Sequence, residues 1–116
     1  MPQRPAQRSD WKCQPMPKQH TQFTLERTFA DDELASLRLG LVPRDMDDRW
    51  FVFQEEDCVY LHRSWTGDCI FILHLDAANQ RHTVTVNADP KQFKRTEPEE
   101  AEMLLTGVLQ NLVFRR

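Results

Sequence analysis

The run His62-Arg63-Ser64-Trp65-Thr66-Gly67-Asp68 gathers five polar or titratable side chains and an indole into what reads as one short turn. Gly67-Asp68 alone would satisfy the backbone of a tight turn, so the other side chains ask for a further reason. One chemistry is nucleophilic: Ser64 or Cys58 attacking, His62 as base, and Asp68, Asp47 or Asp48 orienting it, as in a small hydrolase. The turn lacks the strand-to-helix elbow that exposes a hydrolase serine, which weighs against this reading. A second chemistry is metal binding by Cys58, His62 and His74. No Cys-x-x-Cys or His-x-x-x-His spacing accompanies them, so neither metal nor cofactor is expected. The third is recognition. Arg63 offers a fixed fork of donors for phosphate or carboxylate, Trp65 a flat stacking surface, and Ser64, Thr66 and the Gly67 amide short donors. That set suits a nucleotide, a nucleotide sugar or an acidic peptide. Its structural counterpart is Arg63 paired with Asp47, Asp48 or Asp68, and Trp65 capping the core.

Upstream, Met46-Asp47-Asp48-Arg49-Trp50 sets two carboxylates beside an arginine just before an aromatic run. Such a cluster can poise an acid and a base or hold a divalent ion. A solvated strand start that pairs locally is the simpler account.

The elements that must position these residues follow from periodicity. Trp50-Phe51-Val52-Phe53-Gln54 and Cys58-Val59-Tyr60-Leu61-His62 flank the acidic turn Glu55-Glu56-Asp57 and read as a hairpin. Cys69 to Leu75 and His82 to Asn87 are two further strands, giving a four-stranded antiparallel meander. Phe23, Leu25 and Phe29 alternate with polar residues over Gln22–Phe29, a weaker opening strand that Arg27 interrupts. Asp31-Asp32-Glu33 suits the positive end of a short helix that Gly40 and Pro43 end. Thr96-Glu97-Pro98-Glu99 reads as a capping box, followed by Ala101, Leu104, Leu105, Val108, Leu109 and Leu112 in a wide apolar stripe. The fold class is therefore α+β, with a short N-terminal helix and a longer C-terminal helix on one sheet face.

If Ser64 to Asp68 joins two strands, Val59, Leu61, Phe71, Leu73 and Leu75 share the face under the C-terminal helix. Tyr60, His62, Ile70, Ile72 and His74 then share the other, with Phe51 or Phe53 joining them. That second face would serve a ligand, a protein partner or a homodimer.

Composition bounds the rest. The 116 residues suit one domain, divided into a Pro/Gln-rich flexible arm over residues 1–20 and a single α+β domain over 21–116. The arm holds four of the seven prolines, and Trp11 is its natural anchor. A net charge of -3 offers no field for nucleic acid or an anionic membrane. No signal-peptide core follows Met1, and three unpatterned cysteines suit a reducing compartment, so a cytoplasmic location is expected.

Residues 39–51, with Gly40-x-x-Pro43 and Met46-x-Asp48-x-Trp50-Phe51, followed by His62-Arg63-Ser64-Trp65-Thr66-Gly67, resemble a widespread family of small uncharacterised bacterial proteins. Its members carry these motifs in this order, and the resemblance runs from about Thr24 to the C-terminal helix. It implies a bacterial module of the kind appended to ADP-ribosyl-glycohydrolase or macro-type proteins, and it carries no catalytic residue over. A hairpin would also return the chain from Trp50 to Arg63. Asp47, Asp48, Arg49, Trp50, His62, Arg63, Ser64, Trp65 and Thr66 are thus expected at one corner, as a binding site for a nucleotide or ADP-ribose-type ligand.

Overall fold

A computed structural model describes residues 4–76, 78–94 and 97–114. Five strands, β1 (His20–Glu26), β2 (Trp50–Glu55), β3 (Cys58–Arg63), β4 (Cys69–His74) and β5 (Arg81–Asn87), join helices α1 (Asp31–Leu39) and α2 (Pro98–Val108). The strands form one antiparallel sheet in the order β1-β5-β4-β3-β2. The four-strand expectation is corrected here, because β1 pairs with β5 from His20↔Asn87 to Glu26↔Arg81. Arg27, which interrupts the sequence pattern, lies just beyond β1. Its guanidinium pairs with Glu33 at 3.0 Å and lies 4.9 Å over the Phe29 ring.

Helix α1 starts on three acidic residues, and Glu33 Oε1 accepts the Ala30 N–H at 2.9 Å. Gly40 ends it at φ 70°, a backbone state natural to glycine, and its N–H donates to the Ser36 carbonyl. The chain then meets β2 edge-on, Leu41 and Val52 exchanging backbone bonds of 2.8 and 2.9 Å.

One sheet face carries Val52, Val59, Leu61, Phe71, Leu73, Val84 and Val86 into a core with Ala101, Leu105, Val108 and Leu109. Each fully buried aliphatic or aromatic side chain there contributes about 1.5–3 kcal/mol of transfer free energy. Ile70 also joins this core, contrary to the alternation. Leu61 pairs with Phe71 but His62 pairs with Cys69, so Ile70 is the extra residue of a β-bulge. Asn87 fills the interrupted ladder, donating to the Cys69 carbonyl at 2.9 Å and to Gln92 Oε1 at 2.7 Å.

Beyond Val108 the helix widens into a π-turn over Leu109–Val113, closed by the Phe114 N–H donating to the Leu109 carbonyl at 2.8 Å. The wider turn moves the apolar stripe by one residue, burying Val113 and leaving Leu112 41% exposed. At the other end Glu97 occupies the N-cap without a side-chain cap bond; Thr96 of the expected capping box lies outside the described residues.

Residues 4–19, expected from composition as a loose arm, lie across the second sheet face. The Ala6 N–H donates to the Leu39 carbonyl and the Gln14 N–H to the Gly67 carbonyl, both at 2.8 Å. Ala6 packs with Phe51 and Phe53, and Trp11, Cys13 and Tyr60 close the cluster. The Arg8 guanidinium sits 4.9 Å over both the Phe53 and Tyr60 rings and bonds Glu55 through both oxygens. With Ile70 in the core and Tyr60 beneath Arg8, little of the anticipated dimer face stays apolar and open.

Candidate ligand-binding corner

The hairpin brings the two motifs together as expected: Trp50 pairs with Arg63 and Phe51 with His62. Ser64 then latches the upstream loop. Its N–H donates to the Arg49 carbonyl at 2.9 Å and its Oγ to the Asp48 carbonyl at 2.7 Å. From the arm, Trp11 Nε1 donates to the Ser64 carbonyl at 2.7 Å. The N–H and hydroxyl of Ser64 thereby hold backbone carbonyls and its carbonyl holds the Trp11 indole, so its hydroxyl is not directed at an imidazole.

His62 is 1% exposed. Its Nδ1 lies 2.9 Å from the Gly67 carbonyl, an acceptor, so Nδ1 carries the hydrogen and Nε2 the lone pair. Nε2 is buried without a hydrogen-bond partner among the described residues, and the imidazole ring lies 5.6 Å, centroid to centroid, from the stacked Phe53 ring and 6.3 Å from the tilted Phe51 ring. Burial pushes this imidazole below its ordinary value; the Gly67 carbonyl opposes that and Arg8 adds to it. A depressed base binds protons in the unfolded chain before it does in the folded one. Its contribution is therefore complete above about pH 6.5 and is lost as the pH falls through the depressed folded value. Urea unfolding should accordingly show His62→Asn losing a slope of up to about 1.4 kcal/mol per pH unit just below pH 6.5. Parallel wild-type and variant curves across that window would refute the assignment.

Thr66 Oγ1 accepts the Asp68 N–H at 3.2 Å, and the Gly67 N–H donates to the Arg63 carbonyl, so the turn is closed by its own polar groups. The Arg63 guanidinium lies 5.5 Å over the Trp50 ring, with Nε buried and unpartnered among the described residues. None of the ion pairs among the described residues joins Arg63 to Asp47, Asp48 or Asp68. Neither the Ser64–His62–Asp68 set nor a His62–carboxylate pair is assembled by these bonds. His62 is likewise separated from Cys58 and His74, and among the described residues no three His, Cys, Asp or Glu side chains converge on a metal position.

The outward half of the corner differs. Trp65 is 57% exposed, held by Nε1 donating to the Met46 carbonyl at 2.9 Å, with the Arg49 guanidinium 5.7 Å over its ring. The same Arg49 also lines a cleft of about 540 Å³. Arg44, Asp45, Asp47, Asp48, Arg49 and Trp50 line one wall, Asn111 and Leu112 of the π-turn another, and Leu41 completes it. Asp48 Oδ2 accepts the Arg44 N–H and Asp45 Oδ1 the Asp47 N–H, both at 2.9 Å, so these two carboxylates shape the loop. Among the described residues neither the Arg44 nor the Arg49 guanidinium has a carboxylate partner.

The nine expected site residues thus divide. Asp47, Asp48, Arg49 and Trp50 line the cleft and Trp65 meets it through Arg49, whereas His62, Arg63, Ser64 and Thr66 hold the corner together from behind. Arg44, Asn111 and Leu112 were not anticipated. Arg44 follows Pro43 in the same charged loop and was within reach of the sequence reading. Asn111 and Leu112 enter only through the π-turn, which has no periodic signature.

Comparison with known proteins finds no matching family model, no matching curated protein and no matching solved structure. Among the described residues no helix is long and apolar enough to cross a membrane.

Proposed function

We propose that the chain is a cytoplasmic binding module, and that the cleft lined by Arg49 takes a nucleotide or ADP-ribose-type ligand. The observation that carries this reading is a cleft lined by two arginines without carboxylate partners among the described residues, one of which, Arg49, also lies 5.7 Å over the half-exposed Trp65 ring. A tethered indole has little rotamer freedom to lose when a base stacks on it. Arg44 and Arg49 supply planar donors for phosphate, and Asp47 an acceptor for ribose hydroxyls. The engaged state of Ser64 and His62 favours binding over hydrolysis.

Thermal melting with AMP, ADP-ribose and NAD tests it directly. A ligand at about 100 times its dissociation constant stabilises the fold by about 2.7 kcal/mol, which raises the melting temperature by several degrees. Trp65→Ala and Arg49→Ala alter the Arg49–Trp65 pair at the cleft and should abolish the shift while leaving the ligand-free melt near wild type. No shift with any of the three compounds at about 5 mM would end the nucleotide reading.

A further inference from the structure

Away from the arm, the second sheet face carries a thiol–imidazole pair that the corner does not use. Cys58 and His74 are direct cross-strand partners on β3 and β4, and Cys58 Sγ lies 3.3 Å from His74 Nδ1. The imidazole is held from its far side, where Nε2 lies 3.1 Å from Thr85 Oγ1 on β5. Thr85 in turn accepts from Gln22 Nε2 of β1 at 3.1 Å. Four neighbouring strands thus contribute one residue each to a continuous chain, Cys58–His74–Thr85–Gln22. A hydroxyl oxygen has two lone pairs, so Thr85 can accept from both Gln22 and His74 Nε2–H. That arrangement leaves Nδ1 as an acceptor aimed at the thiol.

We propose that Cys58 is a peroxide-sensitive thiol, with His74 as its general base and Thr85 as the positioning residue that holds the imidazole in the basic tautomer. In the reaction the sulfur attacks one oxygen of a hydroperoxide while its proton passes to His74 Nδ1. The S–O bond forms and the O–O bond breaks. The departing oxygen takes the proton back from the imidazolium, giving a sulfenic acid and water or an alcohol. Sulfur loses two electrons and the peroxide gains them.

Charge selects the oxidant. Cys58 follows Glu55-Glu56-Asp57, and those carboxylates disfavour an anionic disulfide but not a small neutral peroxide. Burial, then Asp57 and Glu56, push the thiol above its ordinary value, with a hydrogen bond to the Tyr60 side chain opposing them, so at neutral pH it is protonated and needs a base to react. The other two thiols are internal references. Cys69 is buried and pushed up to about 12, and among the described residues Cys13 bonds only the Arg8 and Trp11 carbonyls.

The test treats the full chain with hydrogen peroxide, traps sulfenic acid with dimedone and measures each cysteine by peptide mass spectrometry. Cys58 should be trapped at least about tenfold faster than Cys13 or Cys69, and His74→Gln should slow it by about tenfold or more. Its rate should show an acid limb that His74→Gln removes and Thr85→Val displaces, since a purely structural role would leave the pH profile in place. Equal rates for Cys58 and Cys13, or an unchanged Cys58 profile in His74→Gln, would overturn the proposal. Should His74→Gln fail to fold by circular dichroism, Thr85→Val decides alone: an undisplaced acid limb rejects the assignment.

Discussion

Gly40→Ala should lower stability by about 3 kcal/mol or more, seen as a fall in the urea midpoint at unchanged slope. A methyl there would overlap the Val52 carbonyl oxygen and sit 2.9 Å from Ala6 Cβ and 3.0 Å from the Val52 carbonyl carbon. The φ of 70° adds a left-handed penalty of about 1–2 kcal/mol for any residue with a side chain. The backbone groups in the way belong to β2, and moving them breaks the Leu41–Val52 exchange that fixes one wall of the cleft. Loss of stability should therefore accompany loss of ligand response. A variant as stable as wild type would mean that α1 does not approach β2 this closely.

A chain starting at Pro15 should melt below the full chain and should bind a hydrophobic dye in its folded state. Phe51 and Phe53 are fully buried, and residues 6–14 are what cover them. Exposing both rings to water costs about 1.5–3 kcal/mol each. Truncation also removes the Trp11–Ser64 and Gln14–Gly67 bonds, loosening the corner from behind. A melting temperature equal to that of the full chain, with no dye binding, would show that the arm contributes nothing.

The sequence and the structure agree where periodicity carries the information. The β2–β3 hairpin, the stop at Gly40 and the helix that roofs the sheet all follow from spacing of apolar residues and turn chemistry. Two disagreements share one cause, a local departure from regular geometry. Ile70 changes face because a bulge inserts one residue, and Leu112 yields to Val113 because a π-turn inserts another. The arm docks through the indole of Trp11, the anchor its sequence offered, and through two backbone N–H groups that composition does not register. At the corner the residue types were legible but their division was not. Ser64 and His62 have the chemistry of a nucleophile and a base, yet nearby carbonyls claim them, and only three-dimensional placement shows which polar groups are already taken.

The chain has three tryptophans, and all three stand at the same end of the sheet. Trp11 bonds the Ser64 carbonyl, Trp65 bonds the Met46 carbonyl, and Trp50 lies between the Arg63 guanidinium and the Phe71 ring. Light emitted by this protein therefore comes from one corner. An unfolding curve followed by indole fluorescence will trace that corner, while far-ultraviolet dichroism traces the whole sheet. Any gap between the two curves measures how independently the corner lets go.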